Sequence, residues 1–104
     1  MTPPAVLTPQ ARRELRESLR ITARDNPPSS PRGLNNAVVE LARRLGINPQ
    51  HGSRRSYLPA RYRVWPLVRY SYSLAYDPAT TPVQILRMVH MKRDLPRVLR
   101  DLPD

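Results

Sequence analysis

Apolar residues recur every four positions from Ala11 onward. Ala11, Leu15, Leu19 and Ala23 line one side of a predicted helix, with Arg12, Arg16, Arg20 and Arg24 beside them at the same spacing. Thr8-Pro9 supplies a capping hydroxyl and then a proline at the first helical position, and the helix is predicted to end at Asn26-Pro27-Pro28. Ser29-Ser30-Pro31 repeats the start signal before a second stripe, Leu34, Val38, Leu41 and Leu45, with Gly46 expected at C′. Ahead of both helices, Ala5-Val6-Leu7 is a short apolar run behind Pro3-Pro4, short enough to be an edge strand.

The pattern changes after a loop from Asn48 to Pro59. Tyr62-Arg63-Val64-Trp65 reads as a strand stopped by Pro66. Arg69 to Tyr76 alternates, with Tyr70, Tyr72, Leu74 and Tyr76 on one face and Ser71, Ser73 and Ala75 on the other. Asp77 to Pro82 is a hairpin turn, and Val83 to His90 is a last strand whose apolar centre suits an interior position. Leu95, Val98, Leu99 and Leu102 then predict a short C-terminal helix, with Asp94 as its N-cap and Pro96 in its first turn. Neither helical stripe is wide enough for the hairpin to bury itself, so the helices need the sheet. The expected fold is α+β, a two-helix hairpin packed on an antiparallel β-sheet in the order β-α-α-β-β-β plus a short C-terminal helix, forming one domain over residues 1–104.

Composition adds a charge. Eighteen Lys and Arg stand against eight acids, a net +10, and all the cations but Lys92 are Arg. Guanidinium forks match carboxylate and phosphate bidentately, so oxyanion recognition is the expectation; a general taste for Arg on a solvated surface is the bland alternative. Residues 52–104 carry +6 of the excess, in the same half as Tyr57, Tyr62, Trp65, Tyr70, Tyr72 and Tyr76. Cations interleaved with rings suit a nucleic-acid surface, though a chain without Phe must also build its core from Tyr and Trp. The same charges suit an acidic, partly disordered protein segment lying along the helices and the sheet edge. Thirteen prolines thin the core, so a marginal fold stabilised by its partner is expected.

Several chemistries are excluded. There is no Cys, hence no disulfide or thiolate, and two separated histidines, His51 and His90, do not make a metal site. No G-x-S-x-G elbow or glycine-rich phosphate loop occurs, and no cofactor is expected. No apolar run spans a membrane and no signal-peptide core is visible, which fits a cytoplasmic protein. One constellation remains: Arg87, His90, Lys92 and Arg93 where the last strand ends. Metal-free RNA cleavage needs a base, an acid and cations on the phosphate, which this group supplies in kind. The bland alternative is that His90 orders the turn into Asp94.

Pro82 to Leu99 (P-V-Q-I-L-R-M-V-H-M-K-R-D-L-P-R-V-L) resembles the C-terminal signature of the RelE/ParE superfamily of bacterial toxins. Leu7-Thr8-Pro9 to Leu15, Asp25-Asn26-Pro27 and Asn48-Pro49-Gln50-His51-Gly52 match in the same order. The resemblance implies the toxin of a type II toxin–antitoxin pair, in a hetero-oligomer with a cognate, ParD-like acidic antitoxin. The candidates for holding that antitoxin are Arg12, Arg16, Arg20, Leu15 and Leu19, and those for gripping the target are Arg61, Arg63, Lys92, Arg93 and Arg97. ParE-like members poison DNA gyrase, whereas RelE-like members cut mRNA on the ribosome, for which His90, Arg87 and Arg69 would be the catalytic set. Met91 follows His90 where the nucleases carry an aromatic, and the H-x-x-R-D ending suits the ParE side, so gyrase inhibition is expected first. A ribosome-dependent endonuclease is the second reading and a non-toxic basic RNA-binding domain the third.

Overall fold

The computed structural model describes residues 2–25 and 30–103. The elements run β1 (Val6–Leu7), α1 (Pro9–Asp25), α2 (Pro31–Ile47), β2 (Arg63–Leu67), β3 (Tyr72–Asp77), β4 (Gln84–His90) and α3 (Leu95–Val98), with 3-10 turns at Val68–Tyr70 and Leu99–Asp101. Both helix starts follow the capping logic: Ala11 N–H donates to Thr8 Oγ1 at 3.2 Å, and Gly33 N–H to Ser30 Oγ at 2.9 Å. The inter-helix turn at Asn26-Pro27-Pro28 and the first cap residue, Ser29, lie outside the described residues.

The sheet has the order β1-β4-β3-β2. β2, β3 and β4 form the expected antiparallel meander, but β1 joins β4 in parallel, so the sheet is mixed. Val6 and Thr8 N–H groups donate to the carbonyls of Val83 and Ile85, which fixes that register. β1 is the expected edge strand and β4 an interior one. The α+β class and the helical hairpin on a sheet stand as expected.

Four local expectations are corrected. Pro66 does not stop β2, because β2 is an edge strand and tolerates a missing N–H. Arg69 to Ser71 is not strand: a 3-10 turn ends at Ser71, which sits at φ 62°, so β3 starts only at Tyr72. Gly46 lies inside α2, whose C-cap is Asn48; a Cβ there would fall 2.2 Å from the Pro3 carbonyl oxygen, so glycine admits the crossing N-terminal segment. Asp94 occupies the N-cap position of α3 but makes no side-chain cap bond.

The sheet is covered on both faces. Leu34, Val38, Leu41 and Leu45 of α2 pack with Tyr72, Leu74, Tyr76, Ile85 and Met88, and Leu15 and Leu19 of α1 press on this core half-buried. On the opposite face Leu58, Tyr62, Val64, Ala75, Val89 and Leu99 form a smaller core, closed by the C-terminal turns. Tyr62 Oη donates to the Pro103 carbonyl across that second core.

Candidate functional site

A predominantly apolar cleft of about 420 Å³ opens between α1 and the end of β4, lined by Glu14, Ile21, Tyr72, Arg87, Met88 and His90 among others. It exists because β1 pairs with β4 only as far as Ile85. Beyond that point α1, rather than a strand, lies beside the β4 edge. Met88 turns its N–H away from β3, and the Glu14 carboxylate accepts it at 2.9 Å. Alternation along the strand puts the Met88 carbonyl and the His90 N–H on the same outer side.

Glu14 also binds the Arg87 guanidinium, with Arg87 Nη2 2.9 Å from Oε2. Arg87 Nη1 in turn donates to Asp101 Oδ1 at 3.2 Å and to the Val98 carbonyl at 3.3 Å. One guanidinium therefore ties α1, β4 and the C-terminal turns together. The pair is largely desolvated, with side-chain exposures of 14% and 17%. A guanidinium so engaged is a structural tie between those elements.

His90 forms the rim of the cleft. Its Nδ1 accepts the Lys92 N–H at 3.0 Å, so the neutral ring carries its proton on Nε2. Burial and, second, the Lys92 ammonium hold His90 below the ordinary imidazole range. The ring meets Tyr72 edge-on with centroids 5.0 Å apart. His90 thus orders the turn that leads to Asp94, the arrangement named above as the bland alternative. Arg69 sits elsewhere, on the turn after β2, over the Tyr70 ring and lining a separate groove with Gly33 and Val68. Of His90, Arg87 and Arg69, the structure brings the first two together and leaves the third apart.

The other candidates divide in the same way. Arg61 is bonded to the buried Asp77 carboxylate at 2.8 Å, and Arg63 donates to the Gly52 carbonyl at 2.7 Å, so both hold loops. That second loop is further fixed by Tyr76 Oη, which accepts from Gly52 N–H and donates to the Pro49 carbonyl, and by His51 stacked on Trp65 at 3.9 Å. Lys92, Arg93 and Arg97 are exposed on the C-terminal turns. On α1, Arg12 and Arg16 are exposed, while Arg20 is paired with Glu17. Every tyrosine and the tryptophan is buried or half-buried, and two of the rings, Tyr62 and Tyr70, carry the guanidinium groups of Arg61 and Arg69 over their faces.

Reading the sequence for function missed Glu14, Arg100 and Asp101. Glu14 had a signal: it falls on the inner side of α1 with Ala11, Leu15 and Ser18, a carboxylate on an apolar stripe opposite the arginine row. Among the described residues no cluster of three His, Asp or Glu could hold a metal ion, and no helix is long and apolar enough to cross a membrane. A family model described as the ParE toxin of the type II toxin–antitoxin system parDE matches residues 5–95. No curated protein matches the chain.

Proposed function

The chain belongs to the ParE toxin family of type II toxin–antitoxin systems, and from that premise we propose that it acts by binding, inhibiting DNA gyrase until a ParD-like acidic antitoxin covers it. The observation that carries the non-catalytic reading is the state of the Arg87 side chain. Phosphoryl transfer without a metal rests on cations aimed at the phosphate, and Arg87 is closed into a pair with Glu14 and Asp101. His90 adds to this, since its Nδ1 is already bonded within the turn. The antitoxin segment is assigned to the arginine face of α1, through Arg12, Arg16 and Arg20, continuing into the apolar cleft beside β4. Leu15 and Leu19 support that face from the core instead of projecting to a partner. Lys92, Arg93 and Arg97, exposed and close to the cleft, are the target-facing cations.

Purified, antitoxin-free protein added to gyrase and relaxed plasmid is expected to abolish supercoiling or trap cleaved DNA. Normal supercoiling at saturating toxin would overturn the reading. Arg87 and His90 do share one cleft, which is what favours the second reading, ribosome-dependent mRNA cleavage. Under it, primer extension shows cuts within codons that vanish in His90→Ala. Under the gyrase reading His90→Ala keeps its toxicity. Harmless overexpression without antitoxin would instead support a plain RNA-binding domain.

A further inference from the structure

The C-terminal turns form a second cleft, of about 600 Å³, lined by Arg87, Arg93, Asp94, Arg97, Val98, Arg100 and Asp101. Its charge is not balanced. Arg87 is committed to Glu14 and takes up Asp101 as well, which leaves Asp94 as the one remaining carboxylate of the lining against three arginines. Arg93, Arg97 and Arg100 are exposed, and among the described residues none of them makes an ion pair. We infer that these three arginines form a binding site for the phosphates of duplex DNA, used without reading sequence.

Three features of the cleft select that ligand. The first is rigidity. Leu99 is 1% exposed in the second core, Arg87 holds the Val98 carbonyl, and Tyr62 holds that of Pro103. The Arg93 N–H donates to the His90 carbonyl at 3.0 Å. The backbone that displays the guanidinium groups is therefore set before any ligand arrives, which lowers the ordering cost of binding. The second is clustering. Arg93 precedes α3, Arg97 lies within it and Arg100 lies in the 3-10 turn that follows, so one short stretch of backbone carries all three guanidinium groups to the same cleft.

The third is what the cleft lacks. No aromatic ring lines it, and single-stranded nucleic acid is held in large part by bases stacking on rings. Its one apolar residue, Val98, is half-buried, whereas protein partners are anchored by apolar or aromatic side chains in pockets. Guanidinium forks without rings or apolar anchors suit a phosphate backbone. The inference does not depend on gyrase being the target: it gives Arg93 and Arg97, named above as target-facing, a DNA backbone in place of a protein surface and leaves Lys92 to the protein.

The test is fluorescence anisotropy of a labelled 30-base-pair duplex with the full chain, free of antitoxin, from low to moderate NaCl. Arg93→Ala/Arg97→Ala/Arg100→Ala should weaken binding at least tenfold at low salt. Its log–log salt slope should fall by about 2.7, since each phosphate contact contributes about 0.9. Arg13→Ala/Arg32→Ala/Arg54→Ala removes the same charge from exposed positions elsewhere and should change affinity much less. Arg97→Gln alone, an exposed neutral swap, should lower the slope by about 0.9 with unchanged circular dichroism. Equal losses in the two triple variants would mean only net charge is felt, and would overturn the site. So would tighter binding of a single-stranded RNA of equal length, or displacement of the duplex by a poly-glutamate peptide at equal charge.

Discussion

Protonating His90 removes two things together. Nδ1 can no longer accept the Lys92 N–H, and a positive ring is left partly buried beside the Lys92 ammonium, the two causes that hold its pKa down. The unfolded chain, with an ordinary histidine, binds the proton more readily, so this contribution to stability is full above the unfolded pKa. It is lost as pH falls through the lower folded value. Urea unfolding at pH 7.5 and 5.5 should therefore cost wild type more stability than His90→Gln over the same interval. Glu40, held by Arg43 and Arg44, titrates at about 2, well below this window. A second residue-scale effect runs against helix propensity. Alanine normally improves a helix interior by about 1 kcal/mol over glycine. At Gly46 its Cβ would meet the Pro3 carbonyl at 2.2 Å, and overpacking of this kind costs about 1–3 kcal/mol. Gly46→Ala is expected to lower the melting temperature, and a rise would show that residues 2–5 move aside freely.

Among the elements, β4 relies on a side chain where a neighbouring strand would otherwise be. β1 is two residues long, so it covers the start of β4 and no more. Glu14 takes over at Met88, using one carboxylate for the backbone N–H and for Arg87. Glu14→Ala strands both a buried N–H and a largely desolvated guanidinium, and removing one member of such a pair costs about 3 kcal/mol. It also frees the strand edge, a ready template for pairing with another chain. Urea unfolding should show the loss, and size exclusion with light scattering should show concentration-dependent association. Glu14→Ala/Arg87→Met should recover most of the stability but stay association-prone. If the single variant is monomeric at all concentrations, the edge is guarded by something other than Glu14. This part of the fold was only half legible beforehand. The spacing of Leu34, Val38, Leu41 and Leu45 by four, three and four residues places α2 directly, because burial follows period. Nothing local distinguishes Arg87 as a tie from Arg87 as an open cation: its partners Glu14 and Asp101 are distant in sequence and meet it only through tertiary packing. Ser71 was missed for a related reason, since its left-handed backbone interrupts an alternation that side chains alone continue.

At the scale of the whole molecule the question is what a net charge of +10 does to a protein of 104 residues. The exposed pairs Glu17–Arg20 and Glu40–Arg43 attract, but solvent-exposed pairs of this kind contribute little to stability. Against them stand Arg12 and Arg16 on α1 and Arg93, Arg97 and Arg100 on the C-terminal turns, none in an ion pair among the described residues, whose mutual repulsion opposes compactness. Salt screens both, with a Debye length falling to about 10 Å at 0.1 M. Glu14–Arg87, partly buried, is screened least. The sign of the salt effect thus reports which exposed interaction is larger, and the surplus of cations decides it for repulsion. Raising NaCl from about 20 to 300 mM should raise the melting temperature by several degrees, on the order of 1 kcal/mol for a domain this size. Sodium sulfate at equal ionic strength should raise it further, because the anion both strengthens burial and matches guanidinium forks. A melting temperature that fell with NaCl would mean that the surface pairs outweigh the repulsion. The arginines would then be arranged for folding, and neutralising Arg93, Arg97 and Arg100 would destabilise the chain instead of relaxing it.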